Sequence, residues 1–185
     1  MKRALVIGLA TMMIAGCSPT EARQKTTTTT RSTTKTTETT EFAGRLSPLE
    51  VGQGVHTTGK IRGYDVDLTI SLSNPVTGRN AKRWIEGQSR LNKPPFDKTP
   101  VRLDVRIKVD SWAEDNPYRV RPSEFTVYDD TYTSIEYDRI VHDEDMRGEA
   151  YSGGEIAGKL PFYVPKDVET VYIQYKDYWW KLSLD

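Results

Sequence analysis

Residues 101–110 read VRLDVRIKVD, and this stretch decides the fold. Val101, Leu103, Val105, Ile107 and Val109 fall on one side of an extended chain, with Arg102, Asp104, Arg106, Lys108 and Asp110 on the other. A period of two belongs to a strand with one face in a core and the other in water, as in an antiparallel sheet. Val66, Leu68, Ile70 and Leu72 repeat the pattern, and Asn74-Pro75 is expected to end that strand. Further strands are expected near 55–61, 124–128, 156–164, 170–176 and 179–184. In the last of these Trp180, Leu182 and Leu184 share a face, opposite Trp179, Lys181 and Ser183. The expected core comprises Val66, Leu68, Ile70, Leu103, Val105, Ile107, Phe125, Val127, Phe162, Val164, Ile173, Leu182 and one C-terminal tryptophan.

Turn chemistry separates these runs at Arg62-Gly63, Asn116-Pro117, Ser152-Gly153-Gly154 and Pro165-Lys166-Asp167. The best helical candidate is short, over 81–88, inside a long connection from Pro75 to Pro100. Many strands, Gly- and Pro-rich turns and no alternating long helices predict an all-β sandwich or barrel rather than an α/β fold.

Two unlike segments precede this domain. Residues 1–17, MKRALVIGLATMMIAGC, place Lys2 and Arg3 before an uncharged run from Ala4 to Gly16, the layout of an export signal. A helix of that run reaches about 20 Å, short of the roughly 30 Å hydrocarbon core of a bilayer. Ile14-Ala15-Gly16-Cys17 resembles the lipobox of bacterial lipoproteins. That resemblance implies cleavage after residue 16 and acylation of Cys17, with diacylglyceryl and palmitate-type chains. Cys17 is the one cysteine in the chain, which excludes a disulfide framework within it.

Residues 26–40 hold eleven threonines in fifteen positions. With no apolar partner row, such a segment does not repay the entropy of ordering itself, so 17–45 is expected to be a disordered tether. Once both segments are set aside, 46–185 holds 19 basic and 23 acidic residues. A mildly acidic domain argues against nucleic acid as a ligand and against direct adhesion to an anionic membrane.

The order of features across 50–185 resembles the immunoglobulin-like domain family of secreted Gram-positive lipoproteins, related in fold to a small secreted mycobacterial immunoprotective antigen. The matching positions are Val51-Gly52, Val101 to Val109, Phe125-Thr126-Val127-Tyr128-Asp129 with Tyr132, Gly153-Gly154, Phe162-Tyr163-Val164-Pro165 and Tyr175. Residues 75–100 look like an insertion in that pattern. The resemblance implies an immunoglobulin-like antiparallel β-sandwich on the extracytoplasmic side, and it implies no catalytic assignment.

Chemistry-bearing constellations are few. His142-Asp143-Glu144-Asp145 is the densest ionisable run, with Asp143 and Asp145 as candidate calcium ligands. Against the EF-hand spacing they take positions 1 and 3 and Gly148 takes position 6. Arg147 then occupies position 5 and Gly154 position 12, where ligands belong, so no metal or other cofactor is expected. Asp129-Asp130 reads as a turn aspartate accepting backbone N–H groups. There is no Gly-x-Ser-x-Gly elbow, no His-Glu-x-x-His motif and no phosphate loop, and His56 and His142 have no nucleophile beside them in sequence. Ten tyrosines and four tryptophans suit rigid contact surfaces, with Trp84 and Trp112 as candidate binding residues.

The expected function is a lipid-anchored, extracytoplasmic, non-catalytic binding module on the cell membrane. Its partner would be an envelope protein or a cell-wall polymer. The alternatives are a small hydrolase acting on envelope carbohydrate or peptide, and a structural or stress-related envelope protein.

Overall fold

The structure is a computed structural model that describes residues 44–136, 140–143 and 146–184, together with Glu38–Thr39. The leader 1–16, Cys17, most of the tether and Asp145 lie outside the described residues.

The strand expected at 101–109 is longer at both ends. It is β5 (Lys98–Trp112), and it pairs antiparallel with β4 (Tyr64–Thr77) on one side and β9 (Glu155–Pro165) on the other. β3 (Gly54–Ile61) extends the sheet beyond β4, and β1 (Glu38–Thr39) runs parallel to β3 at the edge. The resulting five-stranded order is β1-β3-β4-β5-β9. A second sheet has the order β2-β11-β10-β7, from β2 (Leu49–Glu50), β7 (Phe125–Tyr128), β10 (Thr170–Tyr175) and β11 (Tyr178–Ser183). All its pairs are antiparallel except β2 with β11. A short ribbon of β6 (Tyr118–Val120) and β8 (Gly148–Ala150) completes the β structure.

The inner rows of both large sheets form one apolar cluster, so the protein is an all-β, immunoglobulin-like antiparallel sandwich. Every residue of the expected core is buried, with Trp180 as the C-terminal tryptophan, while Leu184 at the strand end is only half-buried. Each fully buried aliphatic or aromatic side chain contributes about 1.5–3 kcal/mol by leaving water. The polar atoms carried into the core have partners. The Trp180 indole N–H donates to the Gln53 carbonyl at 3.2 Å, and the Thr57 hydroxyl on one sheet meets the Tyr178 hydroxyl on the other.

Two expectations need correcting. The strand through Val66–Leu72 does not stop at Asn74-Pro75. Its pairing skips both residues, with Asn74 at φ +49°, then resumes at Val76↔Arg102 and Thr77↔Val101. A two-residue irregularity leaves the proline without a ladder bond to make, which is how a strand carries one. The helix then begins earlier than expected, as α1 (Gly78–Gln88).

Helix α1 gives the 75–100 connection its structural role. Ala81 and Ile85, one turn apart, are fully buried, and Ile85 packs with Tyr163 and Ile140. Tyr163 lies between the inward-facing Phe162 and Val164 in sequence, so the helix covers the outer face of β5 and β9. Asn92 fastens the arrangement. Its side-chain N–H groups donate to the carbonyls of Ile85 (2.9 Å) and Val141 (2.6 Å), and its carbonyl accepts the Val141 N–H (2.9 Å). On β5, Asp104 lies between Asn74 of β4 and Lys159 of β9. Burial works against its carboxylate, but hydrogen bonds from Lys159 (2.7 Å) and Asn74 (2.9 Å), with the charges of Lys159 and Arg102, outweigh that and hold its pKa below the usual value.

The facing of β5 is open to a direct check. Val105→Ala removes buried methyl groups and should cost about 2 kcal/mol or more in urea denaturation. Arg106→Ala, which breaks a solvent-exposed pair with Glu155, should cost within about 0.5 kcal/mol. Near-equal losses would mean that the strand faces the other way.

Candidate functional site

A bulge in β5 creates the site. Leu68 pairs with Val109 and Asp67 with Ser111, which leaves Asp110 opposite no residue of β4. An extra residue in one strand re-aims everything after it. Trp112, which strict alternation from Val109 would point away from the core, is carried instead to the core side, level with Val66. Ser152 holds it there, accepting the Trp112 N–H at 2.8 Å and donating to the Trp112 carbonyl at 3.1 Å. The indole N–H donates to the Asn116 carbonyl at 2.7 Å, and the ring meets Tyr118 edge-on, 5.3 Å between centroids.

Trp112 and Tyr118 form one wall of a pocket of about 650 Å³ at the end of the sandwich. Cations surround it: Arg62 from the β3–β4 turn, Arg119 within β6, Arg121 just after it, and Lys176 from the β10–β11 turn. A second concavity of about 660 Å³ adjoins it, sharing Arg119, Arg121 and Ser123 and adding Arg147, and the two adjacent concavities together make up the groove region. The acidic residues along it are Glu114, Glu124 and Glu149. Two of these are engaged: Glu124 accepts the Arg121 backbone N–H at 3.0 Å, and Glu149 pairs with Arg119 at 2.9 Å.

The groove floor is tied to the core by a buried pair of phenols. The Tyr118 and Tyr175 hydroxyls lie 2.9 Å apart, and Tyr175 stacks on Phe125 with centroids 4.5 Å apart. Burial first, and then Tyr118, pushes the Tyr175 phenol far above its ordinary pKa, so it stays protonated wherever the protein is folded. Lys176 lies 5.2 Å from the Tyr118 ring centroid and 5.3 Å from that of Tyr175, placing a cation over both.

The other candidates fall elsewhere. Trp84 is half-buried at the helix, with the Arg102 guanidinium 5.1 Å over its ring and the His142 ring 5.6 Å away, so it does not join Trp112. Asp143 is exposed in a loop. Asp129 has the turn role: its Oδ1 accepts N–H bonds from Thr131 (2.9 Å) and Thr133 (2.8 Å) and the Thr131 hydroxyl (2.7 Å). The Thr131 hydroxyl bond, opposed by burial and aided by the backbone bonds, holds the Asp129 pKa below its usual value.

Sequence reasoning missed the cluster around His56, whose members lie on three strands. His56 Nε2 is 3.3 Å from Asp67 Oδ1, and Nδ1 is 3.2 Å from the Thr69 hydroxyl and 3.9 Å from Asp110 Oδ2. One ligand atom from each of His56, Asp67 and Asp110 lies within 4.8 Å of the others, a spacing a divalent cation can bridge. Asp110, however, is already neutralised. Lys108 bonds one of its oxygens and Thr69 donates to the other at 2.8 Å, and these, the Lys108 bond foremost, hold its pKa low against burial. Asp110 reaches this cluster on the outer face that the alternation of β5 gives it, next to Lys108.

No family model matches the chain, and no curated protein matches it. Among solved structures it is similar to ycdA of Bacillus subtilis, a protein assigned to the lipoproteins, at 15% identity over 72% of this chain with a TM-score of 0.48. The match spans only 38% of the ycdA chain. It is also similar to MPT63, a secreted protein of Mycobacterium tuberculosis, at 11% identity over 73% of this chain and 95% of that one, with a TM-score of 0.47. Likenesses this distant carry over no ligand, activity or residue role.

The phenol pair makes the groove floor testable by a double-mutant cycle. Tyr118→Phe or Tyr175→Phe alone strands a buried hydroxyl and should cost about 1–3 kcal/mol. The double variant should cost less than the sum of the two, because neither hydroxyl then remains to be satisfied. Strict additivity would show that the two hydroxyls do not depend on each other.

Proposed function

We propose that the protein is an extracytoplasmic lipoprotein that presents a non-catalytic binding module. Acyl chains on Cys17 hold it to the cell membrane. The observation that carries this reading is the groove: a concave end with an aromatic wall and several cations, assembled from four separate turns and strands. The leader and lipobox supply the address. The Thr-rich segment between Cys17 and β1, if a flexible chain of 18–37, would have a root-mean-square span of about 25 Å, enough to let the module search the layer next to the membrane at high local concentration.

A hydrolase calls for a carboxyl or imidazole poised inside a concavity to donate or accept a proton near neutral pH. The carboxyl groups whose pKa values move here, Asp104, Asp110 and Asp129, all move down, and none of them lines the groove. The groove is lined by cations and aromatics with three carboxylates among them, two of which are engaged by Arg121 and Arg119, a lining that suits recognition.

Two experiments test the reading. Metabolic labelling with a clickable fatty acid should mark the wild type and leave Cys17→Ala unmarked, and equal labelling of both would remove the anchor from the proposal. In pull-downs against envelope proteins and purified wall polymers, the protein should capture a defined partner. Trp112→Ala should lose that partner and Trp84→Ala should keep it. Capture unaffected by Trp112→Ala would move recognition away from the groove.

A further inference from the structure

The groove's charge and the backbone that carries it point to its ligand. Resting on the binding-module reading above, we infer that the groove takes an extended anionic polymer, its repeating phosphate or carboxylate groups spaced by sugar or polyol units. Five cations line it, Arg62, Arg119, Arg121, Arg147 and Lys176, against three carboxylates. Yet the domain of 46–185 carries four more acidic than basic residues. Positive charge is thus gathered where the surface is concave, the arrangement that concentrates an anion from solution. Arg62 and Arg121 have no ion-pair partner among the described residues, and the Lys176 ammonium rests on aromatic rings rather than on a carboxylate.

Two of these cations occupy backbone positions that disfavour them. Arg62, at φ +53°, is the first of two turn residues between Ile61 and Tyr64, followed by Gly63 at φ +89°. Lys176, at φ +55°, holds the matching place between Tyr175 and Tyr178. Left-handed turn positions of this kind favour Gly, Asn or Asp, and a long side chain there raises the energy of the fold. One tip belongs to each sheet, and both tips reach the same groove. A strained residue at a concave site is a residue kept for its side chain.

The length and walls of the groove select the rest of the ligand. Two adjacent concavities bordered by the same Arg119, Arg121 and Ser123 suit a chain that runs past both rather than a single small anion. Trp112 packs against Tyr118 and Tyr64, and Lys176 covers the Tyr118 ring, so the faces of the aromatic wall are largely engaged within the protein, which disfavours stacked bases and leaves the anionic groups of a sugar or polyol polymer to be held by the cations.

The test measures binding to the full chain in detergent by fluorescence anisotropy. The labelled oligomers are poly(glycerol phosphate), polygalacturonate, neutral dextran and oligo-dT. One of the two anionic carbohydrate-type oligomers should bind, and raising salt from about 50 to 200 mM should weaken it at least about tenfold through counterion release. Which one binds identifies the anionic group. Arg62→Asn and Lys176→Gly should each weaken binding about tenfold while raising Tm by roughly 1–3 °C, because each relieves its turn. Lys82→Ala, on the distant helix, should change neither. A structural role for Arg62 and Lys176 predicts the opposite sign of the Tm change, and a fall in Tm together with binding would overturn the inference. So would dextran bound as tightly and without salt dependence, or oligo-dT preferred over both anionic oligomers. If dextran binds and Trp112→Ala abolishes it, the binding module survives and only its anionic ligand is wrong. If no oligomer binds, the ligand assignment fails, and the pull-down alone decides the module.

Discussion

The inward row of β5 is the constraint on which the rest of the sandwich depends. Val101, Leu103, Val105, Ile107 and Val109 are buried against the opposite sheet while the strand is hydrogen-bonded along both edges. A slip of one residue against β4 or β9 would turn this row to water and bury Arg102, Asp104, Arg106 and Lys108 instead. Among the described residues, no other strand is held so firmly on two sides over such a length. The irregularities of the fold are therefore displaced to its ends. One follows Ser73, where Asn74 and Pro75 are skipped, and the other falls at Asp110, where β5 holds one residue too many.

That distribution explains what could be read from the sequence. The alternation of 66–72 and 101–109 is a local pattern with a local cause, and the burial of Val105, Ile70 and Trp180 follows from it. Asp129 was legible for the same reason, because an aspartate bonding the N–H groups two and four residues on needs no distant partner. The bulge at Asp110 was not legible, since an extra residue is defined only against its neighbour strand. With it went the facing of Trp112, while the His56–Asp67–Asp110 cluster was not legible because its members lie on three strands. The strand after Pro75 was misjudged because proline was taken as a stop, where the chain bypasses it with one left-handed asparagine. The groove was invisible for a related reason: Arg62, Arg121 and Lys176 are scattered over more than a hundred residues and meet only when the sheets stack.

The faces of the sandwich are largely committed before any ligand is considered. The inner faces are the core. On the outer face of the five-stranded sheet, α1 and its Asn92 clip cover Tyr163, while paired charges occupy the stretch around His56, Asp110 and Lys108. On the outer face of the four-stranded sheet, the loop after β7 folds back. It stacks Tyr132 on Tyr172 at 4.6 Å and edge-on to Trp179 at 6.1 Å, while Tyr128 packs on Trp179 at 4.9 Å. Those aromatics stabilise the sheet by cross-strand contact, the ordinary use of such residues.

What remains is the end where the β3–β4 and β10–β11 turns arrive side by side. A two-residue turn is the cheapest way to reverse a strand, and its tip is free to carry any side chain that its backbone tolerates. Here the tips carry Arg62 and Lys176 in conformations that tolerate them poorly, beside Tyr118, which Tyr175 beneath it fixes to the core. A rigid floor matters for charge recognition. Cations held in place by a packed scaffold surrender little further freedom when an anion arrives, so more of the electrostatic attraction survives as affinity. The regularity of β5 and the strain at the turns are thus complementary: the first supplies the stability that lets the second persist.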